Sequence, residues 1–161
     1  LQIGARNQLK EFFEKTFKPS TEIIIMKFEY LSHTADAKFR AFGKDIDEAF
    51  VNSALAMFNI LGDTTDVKIT KKIKIELKEK NYESLLYSFL EELLFLLETE
   101  NLFLSNINNL KINKDFSLNC IVEGDDLQKY DLKGDIKAVT YSDMEIKKTN
   151  KGYEIVVVVD I

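Results

Sequence analysis

Tyr153-Glu154-Ile155-Val156-Val157-Val158-Val159-Asp160-Ile161 is the most β-prone segment of the chain, and the sequence closes on it. Its run of β-branched residues favours an extended strand, so we expect the last residues to be held in a sheet rather than in a frayed tail. At the end of this strand the Asp160 side chain lies beside the α-carboxylate of Ile161. Neighbouring anions repel each other unless a cation or a basic group lies between them. The strand end is therefore a candidate cation site.

The composition is that of one acidic, folded domain. The chain has 161 residues, 45% of them hydrophobic, which is enough for a sizeable core. Its net charge of -5 argues against a broad basic surface for nucleic acid, but it leaves open a role in RNA processing through a protein partner. One cysteine, Cys120, excludes an internal disulfide, and one histidine, His33, adds too little for a structural zinc site. The 27 acidic residues instead favour a hard cation with oxygen ligands: Mg, Ca or Mn.

The first 25 residues differ from the rest. Leu9, Phe12, Phe13 and Phe17 have helical spacing, and Pro19 ends the pattern. Two interpretations stand: residues 1–25 are an N-terminal extension or leader, or they form an amphipathic helix that docks on the domain or on a partner. The domain itself is expected to cover residues 26–161.

Nothing in the sequence predicts a membrane protein. No apolar run approaches the roughly 18 residues that a membrane-spanning helix needs, and the start of the chain lacks the pattern of a signal peptide. We therefore expect a reduced, cytoplasmic location.

Two helices are predicted in the first two thirds of the chain. Asp45 and Glu48 resemble a capping box, and the apolar spacing that follows predicts a helix with one buried stripe, ended by Gly62. Asn81 can cap a second helix through about Glu98, whose wide apolar surface predicts cover on more than one side.

Strands surround these helices. The candidates are Lys27–Leu31, Ala37–Phe42, 69–78, Asn108–Ile112, Phe116–Val122, Ile136–Tyr141, Met144–Lys148 and Tyr153–Val159. In residues 69–78 alternation predicts a half-solvated strand with Ile69, Ile73, Ile75 and Leu77 on one face. Turns are expected at Gly124-Asp125-Asp126 and at Ser142-Asp143. The order β2-α-β-α-β(4–5) predicts an α+β fold with mostly antiparallel sheet and two main helices.

Several polar positions are candidates for chemistry, and each has two interpretations. In His33-Thr34-Ala35-Asp36 the histidine and aspartate could orient each other or face a metal, or they could simply bond to a local turn. Asp63, after Gly62, could project into the same site or be a solvated loop acid. Lys137 could guard a sheet edge or contact a phosphate or carboxylate.

The remaining charged groups and the absence of known catalytic motifs give no sign of an active site. We interpret five other acids as helix-start or solvated-face charges: Asp45, Asp47, Glu48, Glu91 and Glu92. The chain has no Walker-type loop, no GxSxG and no CxxC.

Together the motifs resemble the archease family. They are Tyr30-Leu31-Ser32-His33-Thr34-Ala35-Asp36, Ala41-Phe42-Gly43-Lys44, Glu48-Ala49-Phe50 with Ala54-Leu55-Ala56-Met57-Phe58, Gly134-Asp135-Ile136-Lys137-Ala138-Val139-Thr140-Tyr141 and Val158-Val159-Asp160-Ile161. The resemblance spans residues 27–161, and the motifs in this order are strongly specific. Ser32 and Ser142 depart from it, since relatives often carry an acid and a histidine there.

The resemblance implies a small metal-binding accessory protein, not an enzyme. Archeases activate the RtcB-type RNA ligase, which joins RNA ends carrying a 2′,3′-cyclic phosphate or 3′-phosphate to 5′-hydroxyl ends in tRNA splicing and RNA repair. They promote its GTP-dependent histidine guanylylation and its multiple turnover. The link to tRNA would thus be indirect.

Carried over by motif, the metal-linked residues are Asp36, Asp63, Asp160 and Ile161, with Asp66 as a competitor for the place of Asp63. Lys137 matches the functional lysine, and His33 is expected to serve the same site or the partner. The implied cofactor is a divalent ion: Ca, Mg or Mn. Two alternatives remain, a metal-dependent hydrolase and a chaperone-like interaction module for RNA-modifying enzymes.

Overall fold

A computed structural model describes residues 26–33 and 35–161, and the pattern predicted in residues 1–25 lies outside this part of the chain. Its elements are β1 (Phe28–Leu31), β2 (Ala37–Gly43), α1 (Ile46–Asn59), β3 (Lys71–Lys78), α2 (Tyr82–Thr99), β4 (Leu102–Ile112), β5 (Ser117–Asp126), β6 (Ala138–Thr149) and β7 (Gly152–Asp160). Short 3-10 turns cover Thr64–Asp66 and Leu127–Lys129. The predicted α+β fold is confirmed.

The strands form two sheets in which all neighbours are antiparallel. One sheet has the order β1-β2-β7-β6 and the other β3-β5-β4. The β-prone strand β7 lies inside the larger sheet, where it pairs Val157 with Phe39 and Val159 with both Ala37 and Val139. Its side chains from Ile155 to Val159 are buried, which accounts for a strand that is apolar at consecutive positions.

The two helices lie between the sheets. Helix α1 contacts β2 and β7 of the larger sheet and β4 of the smaller one, and α2 contacts β6, β4 and β3. The prediction of one buried stripe on α1 is wrong, because Asn52 through Phe58 are all buried between two layers. Helix α2 is covered on more than one side, as predicted, although Phe95 is 56% exposed.

Both helix starts follow the predicted capping chemistry. Asp45 Oδ1 accepts from the Glu48 backbone N–H at 2.8 Å, and Asn81 Oδ1 accepts from that of Ser84 at 2.8 Å. Each cap satisfies a donor that the first helical turn leaves free. Residues 26–33 and 35–161 contain no helix long and apolar enough to cross a membrane.

Several predicted strand ends are wrong. Strand β4 begins at Leu102 rather than Asn108, and β5 continues through the expected turn to Asp126. Gly124 is needed there for close packing, since a Cβ at this position would lie 2.1 Å from the Phe103 carbonyl oxygen. Ile69 precedes β3 and is 48% exposed, so the predicted apolar face of that strand begins later.

The late strands also differ from the prediction at Ser142-Asp143. These residues belong to one continuous strand, β6, and form an irregularity between Thr140, which pairs with Val158, and Glu145, which pairs with Val156. Residues 141–144 of β6 therefore lie opposite Val157 alone, in a wide bulge that bends the strand without ending it.

Two carboxylates that were interpreted as helix-start or solvated-face charges also hold strands in place. Glu91 of α2 accepts from the Val139 N–H at 2.7 Å, and Asp47 of α1 accepts from the Ile112 N–H at 3.0 Å. The Glu91 bond satisfies a backbone donor on β6, which is an edge strand.

Asp125 anchors the connection that leads from β5 toward β6. Its side chain is almost fully buried and accepts from the Thr70 hydroxyl, from Lys129 Nζ at 2.9 Å and from the Tyr130 hydroxyl at 2.8 Å. These bonds, that to Thr70 foremost, hold the pKa of Asp125 well below its ordinary value. The ionised carboxylate thus fixes residues 127–130 against the smaller sheet.

We expect Asp125→Asn to remove part of the pH dependence of folding. Because the pKa is lowered in the folded protein, ionised Asp125 stabilises it fully above the unfolded value of about 4 and loses this effect as the pH falls below that value. In urea titrations the difference in free energy of unfolding between wild type and variant should shrink on acidification from pH ~7 to ~3. Asp131→Asn, at an exposed position, is the control. A difference that stays constant with pH would contradict this role.

Candidate metal site

The register of the larger sheet gathers predicted site residues at one end. Ala37 pairs with Val159 and Ala138 with Asp160. Asp36 directly precedes Ala37, so one further step of the same register places it opposite Asp160. The Lys137 N–H donates to the Asp160 carbonyl oxygen at 2.7 Å. Asp36, Lys137 and Asp160 thus come from three neighbouring segments of the sheet.

This end of the sheet is open to solvent. Phe39, Val157 and Val159 point into the core, so the alternate positions on β2 and β7, including Asp160, lie on the outer face away from the helices. Asp160 and Lys137 are exposed, and Ile161 is 43% exposed. A ligand or partner can therefore reach these groups without a change in fold.

His33 lies between two aspartates. Its Nδ1 is 3.5 Å from Asp36 Oδ2, and its Nε2 is 4.0 Å from Asp143 Oδ2. Both separations exceed a good hydrogen bond, so His33 and Asp36 are near neighbours without being locked together. Between them Ala35 takes a φ of 65°, in the left-handed region that a tight turn uses.

Asp143 is a neighbour that the sequence interpretation missed. It lies in the β6 bulge with a φ of 54°, and its Oδ2 accepts from Lys38 Nζ at 3.3 Å. Aspartate is one of the residue types enriched in the left-handed conformation, but the sequence alone shows this only as a turn signal. The bulge carries it across the sheet toward Lys38 and His33.

Asp63 has a local role at the end of α1. Its Oδ1 accepts from the Thr65 N–H at 2.9 Å and from the Thr65 hydroxyl at 2.6 Å, which caps the 3-10 turn. These bonds, with the nearby charge of Lys133, lower the pKa of Asp63. Asp63 also lines a shallow groove with Lys27, Phe28 and Asn59. Asp66 lies exposed within the turn itself.

The donor groups at the sheet end are of the class that hard cations prefer. Carboxylate oxygens at Asp36 and Asp160 are ligands of the kind that Ca, Mg or Mn prefer, and these ions complete their coordination with water. Among residues 26–33 and 35–161 no three His, Cys, Asp or Glu side chains form a group that could hold a metal ion. Asp36, Asp63 and Asp160 therefore do not form a closed cage, and an ion held by fewer of them would need water to complete its coordination.

Fold and site together define the class: over residues 26–33 and 35–161 the protein is α+β, with two helices between antiparallel sheets and an exposed anionic end on the larger sheet. The sequence model of the archease protein family matches residues 28–161. The chain belongs to the archease family.

Relatives support this assignment over most of their length. An archease of Methanosarcina barkeri is 43% identical over 143 residues, covering 84% of this chain and 96% of its own. An archease of Danio rerio is 33% identical and covers 92% of this chain and 93% of its own.

Two solved structures share the fold. A solution structure of a Methanobacterium thermoautotrophicum protein matches with a TM-score of 0.70 and 34% identity, covering 84% of this chain and 99% of that one. A Thermotoga maritima archease, described as a possible chaperone, matches with a TM-score of 0.57. At 14% identity over 83% of this chain and 96% of that one, the second likeness concerns the fold alone.

The pair Asp63 and Asp66 offers a matched test of the loop ligand. Asparagine at position 63 keeps an oxygen that can accept from Thr65, so Asp63→Asn removes the charge while preserving the cap. In calorimetric titrations with Mn, Mg or Ca we expect Asp63→Asn to weaken binding and Asp66→Asn to leave it unchanged. The reverse order of effects would transfer the role to Asp66.

Proposed function

We propose that this protein is a metal-binding accessory protein that activates an RtcB-type RNA ligase. In this role it promotes the GTP-dependent guanylylation of the ligase histidine and its multiple turnover, in cytoplasmic tRNA splicing and RNA repair. It is not itself the ligase, and its link to tRNA runs through that enzyme. Membership of the archease family and the matching motifs support this proposal.

One observation carries the proposal. Ala37 pairs with Val159, so the residues next to them, Asp36 and Asp160, come to the same end of the larger sheet, where the Lys137 N–H donates to the Asp160 carbonyl oxygen. Three segments of the chain meet there: the β1–β2 loop, the residues that lead into β6, and the end of β7. Such convergence of charged groups at a solvent-open edge suits contact with another macromolecule better than enclosure of a small substrate.

The chain itself provides few groups for catalysis. Cys120 is buried, and burial raises the pKa of its thiol to about 12, so it is a poor nucleophile. His33 lies beside carboxylates, at 3.5 Å from Asp36, and no described contact pairs it with a hydroxyl or thiol. The acids at this end therefore favour binding over covalent chemistry.

In the proposed mechanism Asp36, Asp160 and a main-chain oxygen of Ile161 would hold the divalent cation, with Asp63 as a further ligand. Lys137 reduces the repulsion among these anions before the ion binds. The exposed end of the sheet enters the mouth of the ligase active site, where its carboxylates and Lys137 orient charged groups of the ligase. When bound, the cation supplies positive charge toward phosphate oxygens.

Asp160→Ala should abolish stimulation of ligase guanylylation while leaving the fold intact, because residue 160 is exposed at the end of β7. The measurement is the yield of guanylylated ligase from labelled GTP, with and without this protein, together with its thermal unfolding. Asp131→Ala, also exposed but away from the sheet end, is the matched control. Normal stimulation by folded Asp160→Ala would show that the site assignment is wrong.

The same preparation tests the two other classes. A metal-dependent hydrolase would cleave phosphoesters with Mn or Mg in the absence of ligase, and that activity would be lost in Asp160→Ala. A chaperone-like module without metal would stimulate the ligase equally well after chelation and would give no heat in cation titrations.

A further inference from the structure

We propose that Asp143 is a positioning residue that holds the Lys38 ammonium away from Asp36 and Asp160, and so leaves this end of the sheet free for a divalent cation. The inference rests on the proposed metal site and adds to it a part that the motifs do not contain. It begins from the ion pair between Lys38 and Asp143, whose side chains come from strands on either side of β7.

Lys38 lies in the row of outer-face residues next to the proposed ligands. It pairs with Val158 on β7, and Val158 pairs in turn with Thr140 on β6. The Lys38 side chain runs across this row, and its Nζ reaches Asp143 Oδ2 at 3.3 Å. Val158 beneath this row is only 1% exposed, although it faces away from the helices. The apolar stem of Lys38 thus covers the sheet while its charge is drawn to the β6 side.

Without Asp143 the ammonium can turn to Glu145, which lines the same groove, or to the two proposed ligands Asp36 and Asp160. Asp36 is two residues earlier on the same strand face, about 6.6 Å along the backbone. Asp160 is the diagonal cross-strand neighbour of Lys38, at the roughly 7–8 Å separation that long side chains span. An ammonium bound to either carboxylate would occupy oxygens that the cation needs and would add repulsion to it.

The other charges around this groove are already engaged or are anionic. Arg40 Nη1 donates to Glu29 Oε1 at 2.8 Å, which directs its charge toward β1. Glu145 and Asp143 line the groove together with Lys38 and Arg40. Lys38 is therefore the lining cation whose placement depends on Asp143.

The backbone conformation of Asp143 departs from that of a regular β-strand. Its φ of 54° lies in the left-handed region, and it lies inside a bulge in which residues 141–144 face Val157 alone. Bulges redirect side chains, and strained non-glycine backbone is concentrated at functional sites. An exposed ion pair contributes little to stability. The Lys38–Asp143 pair would therefore not by itself offset the cost of the left-handed backbone and the bulge at Asp143.

The test is a double-mutant cycle read by calorimetric titration with Mn and, separately, with Ca. The variants are Asp143→Asn, Lys38→Met and both together; asparagine tolerates the left-handed backbone, and methionine keeps an unbranched stem over Val158. We expect Asp143→Asn to weaken cation binding roughly fivefold, the scale of one exposed ion pair, and to have no effect in the Lys38→Met background. Asp143→Gly, which also accepts this backbone, should behave like Asp143→Asn, and thermal unfolding verifies that each variant is folded.

Two results would overturn the proposal: unchanged affinity in Asp143→Asn, or the same loss whether or not Lys38 is present. In either case wild-type binding and its loss in Asp160→Ala would leave the proposed function standing. A wild-type protein that binds neither Mn nor Ca would instead refute the metal site itself, and this inference with it.

Discussion

The pairing of β7 between β2 and β6 is the interaction on which the rest of this structure depends. One strand supplies backbone hydrogen bonds to two neighbours and buries Ile155, Val157 and Val159 against the helices. Burying a valine or isoleucine side chain stabilises a fold by about 1.5–3 kcal/mol, so this short strand contributes a large share of the core of the larger sheet. The same register decides which polar residues meet at the end of the strand, because a slip of one residue would turn its whole apolar set outward.

The second constraint is the placement of both helices between two sheets. Such helices must be apolar on most sides, as the buried run from Asn52 to Phe58 shows. Carboxylates at the layer edges then bond to strand donors, Asp47 to Ile112 and Glu91 to Val139. The Asp47 bond holds the end of β4 against α1, and the Glu91 bond holds the start of β6, which directly follows Lys137, against α2. The stability of the layers and the geometry of the candidate site are thereby linked.

Charged residues in this protein therefore belong to two groups. Asp125, Asp47 and Glu91 act within the fold, where each accepts hydrogen bonds from defined partners. Asp36 and Asp160 lie at the solvent-open end of the sheet. His33 Nδ1, at 3.5 Å from Asp36 Oδ2, stands beyond the distance of a good hydrogen bond. A group of anions with so few fixed internal partners retains its capacity to bind something else, which is the property that the proposed accessory role requires.

Sequence by itself determined the fold class, the helix starts at Asp45 and Asn81, the strand character of residues 155–159 and the family. These features follow from local periodicity, capping chemistry and ordered motifs, which need no knowledge of distant contacts. It also singled out Asp36, Asp160 and Lys137 as candidates, because polar residues at the ends of apolar strands stand out from their surroundings.

Only the tertiary structure decided where the strands end and which partners the charged side chains contact. The sequence predicts turns at Gly124 and at Ser142-Asp143. Gly124 instead lies within β5, where the close approach of the Phe103 carbonyl oxygen leaves no room for a Cβ atom. Ser142-Asp143 instead lie in a bulge of β6 opposite Val157. The Lys38–Asp143 pair spans 105 residues of sequence. Such pairings depend on the register of strands that are far apart in the chain, and a local pattern carries no information about that register.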